Sequence, residues 1–75
     1  MVFDKVKEFI ADVANISEDE IKMESDINKD LGIDSLDAME MILALEEEFK
    51  ISIETEELEN FHTVKDIVDY VEARL

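Results

Sequence analysis

Cysteine and proline are absent from this chain of 75 residues, and glycine occurs once, as Gly32. Without cysteine there is no disulfide framework and no thiolate metal site, so stability has to come from packed side chains. The near absence of turn-forming residues, with no regular apolar/polar alternation, argues against a β-rich domain. Basic residues are scarce too: 7 Lys and Arg stand against 22 Asp and Glu, a formal charge of -15. That charge disfavours nucleic acid and anionic membrane surfaces and attracts proteins with Lys/Arg patches. The opening residues read as no leader and no apolar run is long enough to span a bilayer, so a cytoplasmic protein without membrane insertion is expected. The length supports one small domain over residues 1–75, all-α, with a limited core.

What is present is helical periodicity. From Val2 to about Ala14, Val2, Phe3, Val6, Phe9, Ile10 and Val13 recur at three- and four-residue steps, a first amphipathic helix stopped near Asn15. Ser17-Glu18-Asp19-Glu20 has capping-box spacing and predicts a short helical turn opening a long connection to Gly32. Such a loop has to be pinned, and Ile16, Ile21, Ile27 and Leu31 are its apolar anchors. Leu36 to Phe49 is the richest run of helix formers. On its wheel, Ala38, Met41, Ile42, Leu45 and Phe49 form a core side, and Leu36, Met39, Glu40, Leu43, Ala44 and Glu47 an outward side. Thr55 is expected to cap a short helix ending near Asn60, with Phe61 in the core. Thr63-Val64-Lys65-Asp66 is a capping box with Asp in place of Glu. The helix after it buries Val64, Ile67, Val68, Val71 and Leu75, with Tyr70 marginal. Three longer helices and one short helix, joined by a long first loop, predict a small four-helix bundle.

The chemistry centres on Ser35. Asp34 is a preferred helix N-cap, so the Ser35 hydroxyl is expected in the first turn of the helix, where free N–H groups and the positive end of the dipole favour an attached anion. Gly32 supplies a tight or left-handed backbone just before it. The only histidine, His62, lies far along the chain and reads as a surface residue near a helix start, and no base is at hand to activate the serine. Ser35 therefore reads as a residue modified by another enzyme rather than as a nucleophile of its own, and the chain as no enzyme. Asp26, Asn28 and Asp30 alternate as calcium ligands do. However, Leu31 stands where the EF-hand glycine belongs and Asp37 where its bidentate Glu belongs, so no metal site is assigned.

Leu31-Gly32 before Asp34-Ser35-Leu36, then Asp37, Glu40 and Leu45-Glu46-Glu47-Glu48-Phe49, resembles the acyl carrier proteins of bacterial fatty acid synthesis over nearly the whole chain. The resemblance implies that Ser35, between Asp34 and Leu36, carries 4'-phosphopantetheine from coenzyme A, with acyl groups held as thioesters on its terminal thiol. It implies partners too: a phosphopantetheinyl transferase and fatty acid synthesis enzymes whose basic patches meet Leu36, Asp37, Met39, Glu40, Leu43 and Glu47 on a monomeric carrier. An acyl cleft among Ala38, Met41, Ile42, Leu45 and Phe61 is expected. In this family a proline often follows the position of Ile53; here Glu54 stands there. A carrier of another pathway (polyketide, aminoacyl or peptidyl) shares the same serine, and an unmodified acidic interaction or calcium-binding bundle is the alternative of a different class.

Overall fold

The computed structural model describes residues 2–75. Three α-helices carry the architecture: α1 (Val2–Ala14), α2 (Ser35–Phe49) and α3 (Val64–Glu72). Two 3-10 segments, Glu18–Glu20 and Thr55–Asn60, lie in the connections, and no strand forms among the described residues. The fold is thus the small all-α bundle expected, its short fourth helix being 3-10 in type.

Helix α1 packs against both α2 and α3. Its stripe of Val2, Val6 and Ile10 is buried, while Phe3, Phe9 and Val13 are half-buried at its flanks. Asn15 ends it in the left-handed region (φ 58°), a conformation Asn tolerates better than most residues. Met41, Ile42 and Leu45 of α2 and Val64, Ile67, Val68 and Val71 of α3 meet this stripe in one continuous core. Fully burying each such side chain contributes about 1.5–3 kcal/mol, which is why a chain without cross-links can rely on them. Leu75 lies beyond the end of α3 and is 69% exposed, so the stripe stops at Val71.

The long first loop belongs to the core. Ile21, Ile27, Leu31 and Ile33 are buried, whereas Ile16 is only half-buried. Backbone hydrogen bonds then fasten the loop to the start of α3. Ile27 N–H donates to the His62 carbonyl at 2.9 Å, Val64 N–H to Ser25 at 3.1 Å and Lys65 N–H to Met23 at 2.9 Å. Asp26 and Thr63 form a single antiparallel bridge within this seam. Two of the N–H groups that a helix start leaves unpaired are thereby satisfied by loop carbonyls.

Two further joints hold the second connection. Lys50, at φ 57°, ends α2, and the N–H groups of Lys50 and Ile51 both donate to the Glu46 carbonyl. The carboxylate of Glu46 accepts the Ile53 N–H at 2.6 Å and draws Ile53 into the core. Thr55 does not cap the segment that follows. The cap is Glu54, whose carbonyl accepts the Glu57 N–H without help from its side chain, so the turn starts one residue earlier than expected.

Candidate functional site: an open helix start beside a groove

The backbone from Asp26 to Asp34 delivers Ser35. Asp26 Oδ1 accepts the N–H groups of Asn28 and Lys29 at 3.0 and 2.7 Å, and Asp30 Oδ2 accepts the Asp26 N–H at 2.7 Å. These carboxylates are therefore engaged as turn caps, which explains the alternating acidic pattern without a metal. Gly32 then turns the chain at φ +68°; a Cβ there would meet no atom within 4 Å, so the glycine serves its backbone angle and not a tight fit. Asn28 Nδ2 donates to the Ile33 carbonyl at 3.2 Å, and Ile33 is buried, which anchors the chain immediately before the cap.

Asp34 is the N-cap, as expected, with Oδ1 accepting the Asp37 N–H at 2.9 Å and its carbonyl accepting that of Ala38. Ser35 is the first residue of α2, and it is exposed. Among the described residues, nothing hydrogen-bonds its hydroxyl, and its own N–H and that of Leu36 have no partner. An exposed hydroxyl beside two unpaired amide donors at the positive end of a fifteen-residue helix suits a phosphodiester.

A groove of about 590 Å³ opens next to this serine, between the start of α2, the first loop and the second 3-10 segment. Ser35, Ala38 and Met39 form one wall, with Leu58 and Phe61 opposite and Ile27 and Ile33 contributed by the loop. Phe61 is held edge-on to Tyr70 of α3, ring centroids 5.3 Å apart, so this wall is tied to the bundle. An apolar trough starting at the serine fits a long flexible arm and its cargo. Of the expected cleft residues, Ala38 and Phe61 line it; Met41, Ile42 and Leu45 are buried in the core and do not. Five polar groove residues escaped sequence reasoning as members of the site, namely Asp26, Asn28, Thr55, Glu59 and His62. His62 shares the groove with Ser35 although 27 positions separate them (62 less 35), and no hydrogen bond joins the two side chains. No local pattern announces that proximity.

The outward ridge of α2 adjoins the groove, the two meeting at Met39. Leu36 is 72% and Leu43 58% exposed, Glu40 and Glu47 are exposed, and Asp37 and Met39 are half-buried. From residue 30 to 49 the sequence carries Asp30, Asp34, Asp37, Glu40, Glu46, Glu47 and Glu48 and no Lys or Arg, so this stretch supplies no cation of its own to offset the ridge carboxylates.

This combination of a bare serine at an open helix start, an adjoining apolar trough and an acidic, partly apolar ridge defines a prosthetic-group carrier. A family model described as "Phosphopantetheine attachment site" matches residues 4–71. The chain is also similar to curated proteins named "Acyl carrier protein". It shares 47% identity with that of Phytoplasma mali over 75 residues, all of this chain and 89% of the relative. With that of Clostridium perfringens it shares 54% over 70 residues, 93% and 92% of the two chains, and with that of Clostridium acetobutylicum 55% over 73 residues, 97% and 95%. The chain belongs to the acyl carrier protein family.

Proposed function

We propose that Ser35 is the point at which a 4'-phosphopantetheine arm from coenzyme A is attached, and that the protein carries fatty acyl chains on that arm among the enzymes of fatty acid synthesis. The arm supplies the thiol that the chain itself lacks, on which acyl groups are held as thioesters. The observation carrying this reading is the unengaged Ser35 hydroxyl at the open start of α2. Its oxygen gives up its proton and bonds to the pantetheine-side phosphorus of coenzyme A as the pyrophosphate P–O bond breaks and adenosine 3',5'-bisphosphate leaves; the N–H groups of Ser35 and Leu36 face the charge of the resulting phosphodiester. Asp34 holds the first turn, and the groove walls of Ala38, Met39, Leu58 and Phe61 shelter the apolar cargo from water, with Met41, Ile42 and Leu45 behind them as the surface met by a longer chain that parts the helices.

The exposed ridge of Leu36, Glu40, Leu43 and Glu47, with Asp37 and Met39 at its edge, is the docking face for the transferase and the synthase enzymes. Basic patches on those partners are steered by its charge and seated by its leucines. Each contact is small and separable, which suits a monomeric carrier that changes partners in the cytoplasm. None of the described helices is long and apolar enough to cross a membrane. Tethering then replaces free diffusion of the substrate by a local effective concentration at each docked active site.

Incubation with coenzyme A and a phosphopantetheinyl transferase, followed by intact-mass measurement, tests the reading. One arm's mass is gained by the native chain and none by Ser35→Ala. Labelling that persists in Ser35→Ala overturns the assignment.

A further inference from the structure

The three sides of α2 that face away from the core differ. At 100° per residue, Ser35 and Met39 on the groove side and Ala44 and Glu48 on the other lie on opposite flanks of the Leu36–Leu43 ridge, roughly 70° and 110° from it. The latter flank faces α1. There Phe9, only half-buried, separates two adjoining hollows: one is walled by Glu8 and Asp12 of α1, the other by Ala44, Glu47 and Glu48 of α2. One side of the ring packs on the core, and among the described residues the rest of it is left open between the two hollows.

The chain itself shows what this seam accepts. Lys5 places its ammonium 3.6 Å from Glu8 and 3.8 Å from Glu48, straddling α1 and α2 at one end of the hollows. Asp12 and Glu47 take part in no ion pair among the described residues, so the same two helices present a second pair of carboxylates without a cation. A half-exposed aromatic ring ringed by carboxylates, one set already holding an ammonium, is complementary to an apolar side chain flanked by Lys or Arg. Ala44 lies nine residues past Ser35, about 13 Å along the helix, so an occupant here leaves the serine uncovered.

We propose that the α1/α2 seam centred on Phe9 is a second docking surface, taking a basic amphipathic helix of a partner protein on Phe9, Asp12, Ala44 and Glu47, so that of the ridge only Glu47 is shared and Ser35 with Leu36, Glu40 and Leu43 remains free for another. A carrier so held can be served by one enzyme while anchored to a second protein.

The test titrates the full-length isotope-labelled protein with a synthetic peptide helix bearing leucines on one face and arginines beside them. Saturable amide shifts are expected at Phe9, Asp12 and Ala44, with intermolecular NOEs between the Phe9 ring and leucine methyls. Asp12→Lys and Glu40→Lys change the net charge equally, so their comparison reports position alone. Asp12→Lys is expected to weaken binding about fivefold and Glu40→Lys far less. Binding by Ser35→Ala is expected to equal that of the native chain, which separates this surface from the attachment site. Shifts confined to Leu36–Leu43, shifts spread evenly over the acidic surface, equal weakening by the two reversals, or absence of the NOEs would each overturn the proposal.

Discussion

The starts of α2 and α3 use the same chemistry to opposite ends. Each has an oxygen-bearing N-cap, Asp34 or Thr63, accepting the N–H three residues on, from Asp37 or Asp66. At α3 the rest of the turn is sealed. The Val64 and Lys65 N–H groups donate to loop carbonyls, and Asp66 Oδ2 accepts the N–H groups of His62 and Thr63 at 2.9 and 3.0 Å. At α2 the corresponding N–H groups of Ser35 and Leu36 are left without partners, beside an exposed hydroxyl. Closing one helix start anchors the loop that presents the other, and leaves the unpaired donors beside the hydroxyl proposed to take the phosphodiester.

That contrast is broken most completely at the serine. Ser35→Ala is expected to lose all loading while its unfolding free energy stays within about 0.5 kcal/mol of native, as for an exposed substitution with no partners; circular dichroism and denaturant titration check the second half. The converse change, Thr63→Ala with Asp66→Ala, is expected to cost about 2 kcal/mol in urea unfolding and to speed amide exchange at Ile27, Val64 and Lys65, while Ser35 is still loaded. Loss of loading in that double variant would show that the sealed start positions the open one more tightly than the separate hydrogen bonds require.

Removing the cap of the open start is a smaller perturbation. Asp34→Ala is expected to cost about 1 kcal/mol and to slow transfer onto Ser35 without abolishing it, seen by mass-resolved time courses. At the other end of α2, Lys50 occupies the left-handed region without being glycine. Lys50→Gly is expected to raise stability by about 0.5–1 kcal/mol, the relieved backbone cost exceeding the added unfolded-state freedom.

The smallest effect is a pH dependence. The backbone N–H groups of Thr63 and then of His62 hold the Asp66 carboxyl below its usual value of 3.8. A depressed carboxylate contributes stability that is fully present above that ordinary value and fades as the pH falls through the lowered one. Native protein is therefore expected to exceed Asp66→Asn in stability at neutral pH, with the gap closing only below about pH 4. A gap that widened on acidification would mean that the carboxylate is not the acceptor that seals α3.

Much of this was legible in the residues. Asp34 before a run of helix formers placed Ser35 at N1, Gly32 marked the positive-φ turn, and both capping boxes form as their spacing implied. Such signals act over three or four residues, which is the range of a helical turn. What failed to show was non-local or depended on a single residue's register: His62 beside the serine's groove, Glu46 reaching Ile53, Thr55 inside its segment instead of capping it, and Leu75 beyond the last buried turn.

The residues alone determined three helices, a serine at the mouth of the second and a strongly negative charge, because capping, periodicity and charge are properties of neighbours along the chain. Only the tertiary structure decided that loop carbonyls close α3, that the apolar trough begins at Ser35 and that Phe9 stands half-uncovered between α1 and α2. Those features require segments distant in sequence to meet, and the packing of the shared core, not any local preference, sets which of them do.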